Sequence, residues 1–141
     1  KGTRAEGKAL RERFLSSLPT LRTLKERVER ASGKEYLKGL DGRKIYVRHR
    51  HASLNTLLQG GGAIAMKKAM CILNDYIKEN KIDAKIVANI HDEWQIQVKE
   101  SQSSKLGELG IKSIQQAGEY FNMRCPLNGE YKVGDNWSET H

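Results

Sequence analysis

The stretch IVANIHDEWQIQVK, residues 86–99, decides how the chain is organised. Ile86, Ala88 and Ile90 alternate with Val87 and Asn89. Beyond His91-Asp92-Glu93, Trp94, Ile96 and Val98 alternate with Gln95, Gln97 and Lys99. Period-two alternation on both sides of a short polar break predicts an antiparallel β-hairpin. Tight hairpin turns need positive φ, which His, Asn and Asp tolerate better than most residues other than glycine. His91 and Asp92 can therefore make the turn, leaving neighbouring carboxylates, Asp92 and Glu93, at its tip. A one-residue slip of register would exchange the two faces. Two carboxylates at a strand tip repel each other and attract cations. They read either as a solvated turn or as an acid/base or metal site. Hard divalent ions such as magnesium take oxygen ligands, and phosphoryl-transfer sites hold them through one or two carboxylates.

Around this stretch lies a chain of 141 residues, the length of about one domain. Its 25 Lys/Arg and 17 Asp/Glu leave a net charge of +8. Residues 1–50 hold 15 basic and 6 acidic side chains, whereas residues 51–141 hold 10 and 11. The whole excess thus sits in the N-terminal third. Such a block reads as a solvated basic face or as a surface for a polyanion, nucleic acid first, because each neutralised phosphate releases counterions. Cys71 and Cys125 are far apart and in no metal-ligand spacing, so they are expected to be free thiols in a reducing compartment. With no signal peptide and no long apolar run, the expectation is a soluble intracellular protein without a membrane partner. The first residue is Lys1 rather than Met, so the chain is expected to be part of something larger.

Residues 1–33 predict a basic helical hairpin. Thr3 to Glu6 fits a capping box, and Leu10, Phe14 and Leu18 follow at spacings of four. Pro19 breaks the pattern. Leu21, Leu24, Val28 and Ala31 make a second stripe, both stripes being expected to face a core. Residues 34–50 predict a basic β-hairpin, with Asp41-Gly42 as a type I′ turn and Tyr36 and Tyr46 as a cross-strand pair or, alternatively, base stackers. Arg43, Lys44, Arg48 and Arg50 keep it basic, and Arg43 and Arg48 are candidate DNA contacts.

Residues 51–79 read as one long helix with an apolar stripe of Leu54, Leu58, Gly61, Ala65, Ala69, Ile72 and Tyr76. His51, Asn55 and Gln59, four apart, share another face. That row is either an exposed polar face or a set of uncharged groups able to reach into a DNA groove. Three successive glycines, Gly60 to Gly62, each cost about 1 kcal/mol mid-helix. They imply a kink or close approach of another backbone, the central hairpin above all. Residues 85–99 hold that hairpin, and residues 103–122 a further amphipathic helix carrying Leu106, Gly110, Ile114, Ala117 and Phe121, with Ser101, Ser103 and Ser104 as N-cap candidates. Residues 125–141 are expected to form turns with a short strand near 131–133. The fold class is therefore α+β, in a single domain without a linker. An antiparallel β-hairpin carries His91-Asp92-Glu93 and packs against one long helix and further amphipathic helices.

Four stretches together resemble the C-terminal part of the A-family DNA polymerases, most nearly the phage-type replicative branch. IHDEWQIQV (90–98) is similar to motif C of the palm. HASLNTLLQGGGA (51–63) is similar to the helix before it, KGLDGRKIYVR (38–48) to the preceding hairpin, and GDNWSETH (134–141) to the terminal segment. Their order and spacing match as well.

This resemblance implies a palm-type hairpin and template-directed nucleotidyl transfer from a deoxynucleoside triphosphate to a primer 3′-hydroxyl. Two magnesium ions would serve the attacking and leaving oxygens. It implies that Asp92 is a metal ligand, that Glu93 supports the metal site or primer terminus, and that His91 contacts the primer end. Asn55 and Gln59 would meet the minor groove of primer-template DNA, where acceptors recur at similar positions in every base pair. His51 would stand beside them, where the wider family often has arginine. The implied location is the cytoplasm of a bacterial or phage-infected cell. A second palm aspartate, in a motif like DYSQIE, and the fingers helix are missing from the sequence, as are exonuclease motifs. The chain by itself is thus expected to hold an incomplete two-metal site, to need the remaining polymerase segments for activity, and to self-associate through an uncovered sheet edge. Two other readings stay open: a non-catalytic DNA-binding module, and a metal-dependent nuclease built on Asp92 and Glu93.

Overall fold

The computed structural model describes residues 2–34 and 36–140. Lys1, Glu35 at the start of the first expected hairpin, and His141 at the end of the terminal segment lie outside them. The chain divides between Gln59 and Gly60 into two compact units. A continuous helix crosses the division, and no linker marks it.

In the first unit, α1 (Arg4–Ser17) starts on the expected capping box. The Thr3 hydroxyl accepts from the Glu6 backbone N–H at 3.2 Å, and the Glu6 carboxylate accepts from the Thr3 N–H at 2.6 Å. That backbone bond, with help from the Thr3 hydroxyl, holds the Glu6 carboxyl below its ordinary range. Pro19 opens α2 (Pro19–Ala31) at a position where its missing N–H costs nothing. The guanidinium of Arg22 ties the pair together, donating to Glu12 at 3.0 Å and to Ser16 Oγ at 3.1 Å. The stripe of α1 does not face a core, contrary to expectation. No residue of α1 is buried, and Leu10 and Phe14 are 62% and 56% exposed. An apolar stripe is buried only by a facing element, and α1 packs chiefly along α2. The buried residues of the pair's C-terminal end are Val28 and Ser32.

Strands β1 (Tyr36–Lys38) and β2 (Lys44–Tyr46) pair antiparallel, with Tyr36 opposite Tyr46 and Leu37 opposite Ile45. Leu37 is buried, whereas Tyr46 is 72% exposed and Lys44 sits 4.8 Å above the Tyr36 ring. The turn departs from type I′. Gly42 N–H donates to Gly39 O at 3.0 Å, and Gly39 N–H to Arg43 O at 2.8 Å. Gly42 alone in the loop has positive φ, at 84°. This is a three-residue loop, a type I turn closed by a left-handed glycine. Type I′ would need positive φ at Asp41 too, and the Asp41 side chain instead caps the loop by accepting from Arg43 N–H at 3.2 Å.

Helix α3 (Ser53–Glu79) runs without a break through the three glycines, after a short 3₁₀ turn at Arg50–Ala52. A Cβ added at Gly62 would meet nothing within 4 Å, so no backbone approaches there and the expected packing of the hairpin on this step is absent at Gly62.

In the second unit, the apolar stripe of α3 is turned slightly from the one expected. Ala65, Ala69 and Leu73, at spacings of four, are buried, and Leu73 is wholly inaccessible. Leu73, Ile82 and Leu106 form the core cluster, covered by Ile77, Ala84, Trp94, Ile96, Val98 and Leu109. This core binds the hairpin of β3 (Ala84–Ile90) and β4 (Glu93–Val98) to α3 and to α4 (Ser103–Tyr120). Tyr76 on α3 donates to Gln116 on α4 at 2.6 Å. None of the three expected serines caps α4. Gln102 stands at its N-cap without a capping bond, its Oε1 accepting instead from Asp83 N–H at 3.0 Å; a 3₁₀ turn at Glu100–Gln102 leads into the helix and Ser103 Oγ donates back to Glu100 O at 2.7 Å. Residues 131–133 form no strand. The tail instead runs back along α4, seating side chains on its glycines: Leu127 on Gly118 and the Tyr131 ring on Gly107, while Gln115 donates to Asn128 at 3.1 Å. It ends in a short helix, α5 (Trp137–Thr140).

Gly107 gives a stability test whose sign depends on one neighbour. A Cβ there would lie 2.4 Å from the Tyr131 ring. Gly107→Ala should cost about 1–2 kcal/mol by forcing the ring off the helix. With Tyr131→Ala already in place, the same change should stabilise by up to about 1 kcal/mol, the ordinary helix preference for alanine. Chemical denaturation of the four variants measures that reversal.

Both cysteines are free, as expected, and both are exposed. Among the described residues, no helix is long and apolar enough to cross a membrane.

Candidate active site

The β3–β4 hairpin closes through two residues. Ile90 pairs with Glu93, and His91 and Asp92 form the connection. His91 takes the left-handed conformation at φ 54°, as the sequence predicted for a non-glycine turn. Near the start of the hairpin, Ala84 pairs with Val98 and Ile86 with Ile96. A bulge at Val87 then shifts the register, so that Ala88 pairs with Gln95 and Asn89 with Trp94. Directly opposed residues share a face. The bulge thereby moves Ala88 and Ile90 to the face of Gln95 and Glu93, while Trp94 stays with Ile86 and Ile96 on the core side. Strict alternation put Ile86, Ala88 and Ile90 on one face. The extra residue is why that holds only up to the bulge.

At the tip the two carboxylates differ in exposure. Asp92 and His91 are exposed, whereas Glu93 is half-buried. The Gln95 amide N–H₂ donates to Glu93 Oε1. The Thr140 hydroxyl, 3.2 Å from Gln95 Oε1, brings the chain's terminal turn to the same face. Behind the strand, the indole Nε1 of Trp94 is buried without a hydrogen-bond partner among the described residues.

Asp92 and Glu93 supply the hard oxygen donors magnesium takes, in the number that protein carboxylates contribute where substrate phosphates complete the shell. Among the described residues, no three His, Cys, Asp or Glu side chains gather as a metal site. The donor chemistry of Asp92 and Glu93 suits magnesium, but the described residues by themselves do not form a site for it.

The other sequence candidates lie in the first unit. Asn55 and Gln59 are exposed on α3. His51 belongs to the 3₁₀ turn before α3, not to the helix, and its ring stacks on His49 with centroids 5.5 Å apart. The expected row of three on one helix is thus a pair on α3 plus a histidine on the turn that leads in. Arg48 is exposed. Arg43 is held locally, its guanidinium 2.6 Å from the Asp41 carboxylate. Burial pulls the Asp41 carboxyl up, but the bonds from Arg43 outweigh it and leave the carboxyl lowered. Sequence reasoning missed Gln95, Thr140 and His49. A signal existed for Gln95: two residues from Glu93 on a strand, it must share Glu93's face. None existed for Thr140, which is 45 residues further along the chain.

The site is thus an antiparallel hairpin with an acidic turn, backed by a long helix and a second amphipathic one. Residues 1–139 match the family model of DNA polymerase family A. The chain is 41% identical over 143 residues to a DNA-directed DNA polymerase of Escherichia phage Phieco32, covering 96% of this chain and 23% of that protein. It is 33% identical over 157 residues to the DNA-directed DNA polymerase of Enterobacteria phage T3, covering 96% of this chain and 22% of that one. In structure it resembles the POL domain of Pol1 from M. smegmatis in complex with DNA primer-template and dNTP, with a TM-score of 0.79 at 23% identity, over 99% of this chain and 26% of that chain. The chain belongs to DNA polymerase family A, and its sequence is of the phage type. It spans about a quarter of the length of these relatives.

Proposed function

We propose that the chain contributes the motif C turn and part of the primer-template surface to a DNA-directed DNA polymerase that adds deoxynucleotides to a primer 3′-hydroxyl. The observation that carries the reading is the exposure of Asp92 on a bulged, core-anchored hairpin within a chain of this family. Asp92, with Glu93 beside it, would hold magnesium, whose chemistry when bound would be to stabilise charge on the attacking and leaving oxygens. His91 faces the primer end from the same turn. Asn55 and Gln59 donate and accept in the minor groove near the terminal base pairs, with His51 at the head of their helix. Arg48 contributes phosphate contacts. Arg43 contributes them more weakly, because Asp41 already occupies its guanidinium. The solved relative carries DNA primer-template and dNTP, which supports these as partner kinds here. The remaining palm and fingers segments are the protein partners.

Two carboxylates make half of such a site, so the 141-residue chain alone should give no primer extension. Mixing it with complementary family-A segments should restore extension. Extension by the purified chain alone would refute the half-site reading, and DNA binding without any restored extension would favour a non-catalytic DNA-binding module. Magnesium-dependent plasmid nicking lost in Asp92→Ala would favour the nuclease. Among the described residues the β3–β4 sheet has two strands only, so its outer edges are also a route to self-association, which sedimentation of the isolated chain measures.

A further inference from the structure

The terminal turn reaches the face of Glu93 through the Gln95 amide. We propose that Gln95, held by Thr140, is a positioning residue for the Glu93 carboxylate, so that the C-terminal turn sets the geometry of the motif C acid pair. This rests on the motif C reading above.

Glu93 and Gln95 are two apart on β4 and share a face, with Trp94 between them on the other, and the bulge at Val87 brings Ile90 and Ala88 opposite them. The primary amide has one donor end and one acceptor end. Its N–H₂ meets Glu93 Oε1, and its Oε1 lies 3.2 Å from the Thr140 hydroxyl. Rotated by half a turn, it would set its carbonyl oxygen against a carboxylate, so the partners themselves fix its orientation. The hydroxyl has a second acceptor, Trp137 O, also at 3.2 Å.

Thr140 can act as a fixed point because its turn is clamped. The Glu139 carboxylate accepts from Asp135 N–H at 2.9 Å and from the Asn136 amide at 2.6 Å. Gly134 lets this side chain close over the turn, since a Cβ there would lie 2.7 Å from Glu139 Cβ. Partners that orient a metal-binding carboxylate commonly matter about 10–100-fold in metal affinity or activity.

The test has two arms. In metal-free protein, the ¹⁵N–¹H resonances of the Gln95 side-chain amide should move in Thr140→Val and in Glu93→Gln, while the backbone spectrum stays folded. In polymerase reconstituted with the complementary segments, Gln95→Leu should raise the magnesium concentration for half-maximal rate about tenfold. Thr140→Val should raise it by a smaller factor, and Thr140→Ser, which keeps the hydroxyl, should restore it. Amide resonances that do not move, or an unchanged magnesium dependence in both Gln95→Leu and Thr140→Val, would overturn the relay while Asp92→Ala remained inactive. An active Asp92→Ala would overturn the motif C reading and the relay with it.

Discussion

Asp92→Ala, in polymerase reconstituted from this chain and the complementary family-A segments, should lower turnover by about a thousandfold or more. That corresponds to roughly 4 kcal/mol of lost stabilisation at the reacting phosphate. Stability should barely change. Asp92 lies exposed at a two-residue turn, so its loss leaves no cavity, and surface changes of this kind stay within about 0.5 kcal/mol. Single-turnover extension with saturating primer-template separates the two effects, read beside a denaturation curve. Near-normal turnover would remove Asp92 from the metal site. Glu93→Ala should cost less activity, because Glu93 supports the site from a half-buried position.

Leu73→Ala should do the opposite, costing about 3–5 kcal/mol of stability. Leu73 is fully inaccessible and sits where α3, α4 and the hairpin meet. Truncating it leaves a cavity that three rigid elements cannot close. Trp94→Ala should also destabilise, by about 3 kcal/mol. Trp94 covers the cluster but is itself only half-buried, and removing it also removes an indole N–H buried without a partner among the described residues. Urea midpoints for both variants decide the order. A Leu73→Ala midpoint equal to wild type would mean that the cluster is not the core of the second unit.

Both predictions turn on features of different legibility. The turn at His91-Asp92 was readable because it is local: alternation on each side, two polar residues between, and a histidine able to take positive φ. The capping box at Thr3 and Glu6 was readable for the same reason. The Asp41-Gly42 turn was placed correctly but typed wrongly, since the same dipeptide serves a three-residue loop once Asp41 turns its side chain back onto Arg43. The stripe of α1 was readable as a pattern, but a pattern does not say whether anything faces it. Two glycines of α4, Gly107 and Gly118, are seats for Tyr131 and Leu127, brought back by the tail, and nothing in the local sequence marks them as such.

The sequence by itself determined the main helices and the two hairpins, the acidic turn and the family, because each is written in spacings of a few residues or in motifs that keep their order; the tail, read as holding a strand, was not among them. Tertiary structure alone decided which side each residue serves. One extra residue at Val87 moves Ile90 onto the face of Glu93, and a hydroxyl near the other end of the chain reaches that face through Gln95. Neither is legible locally, since strand register and long-range hydrogen bonds are settled by the packing of distant segments.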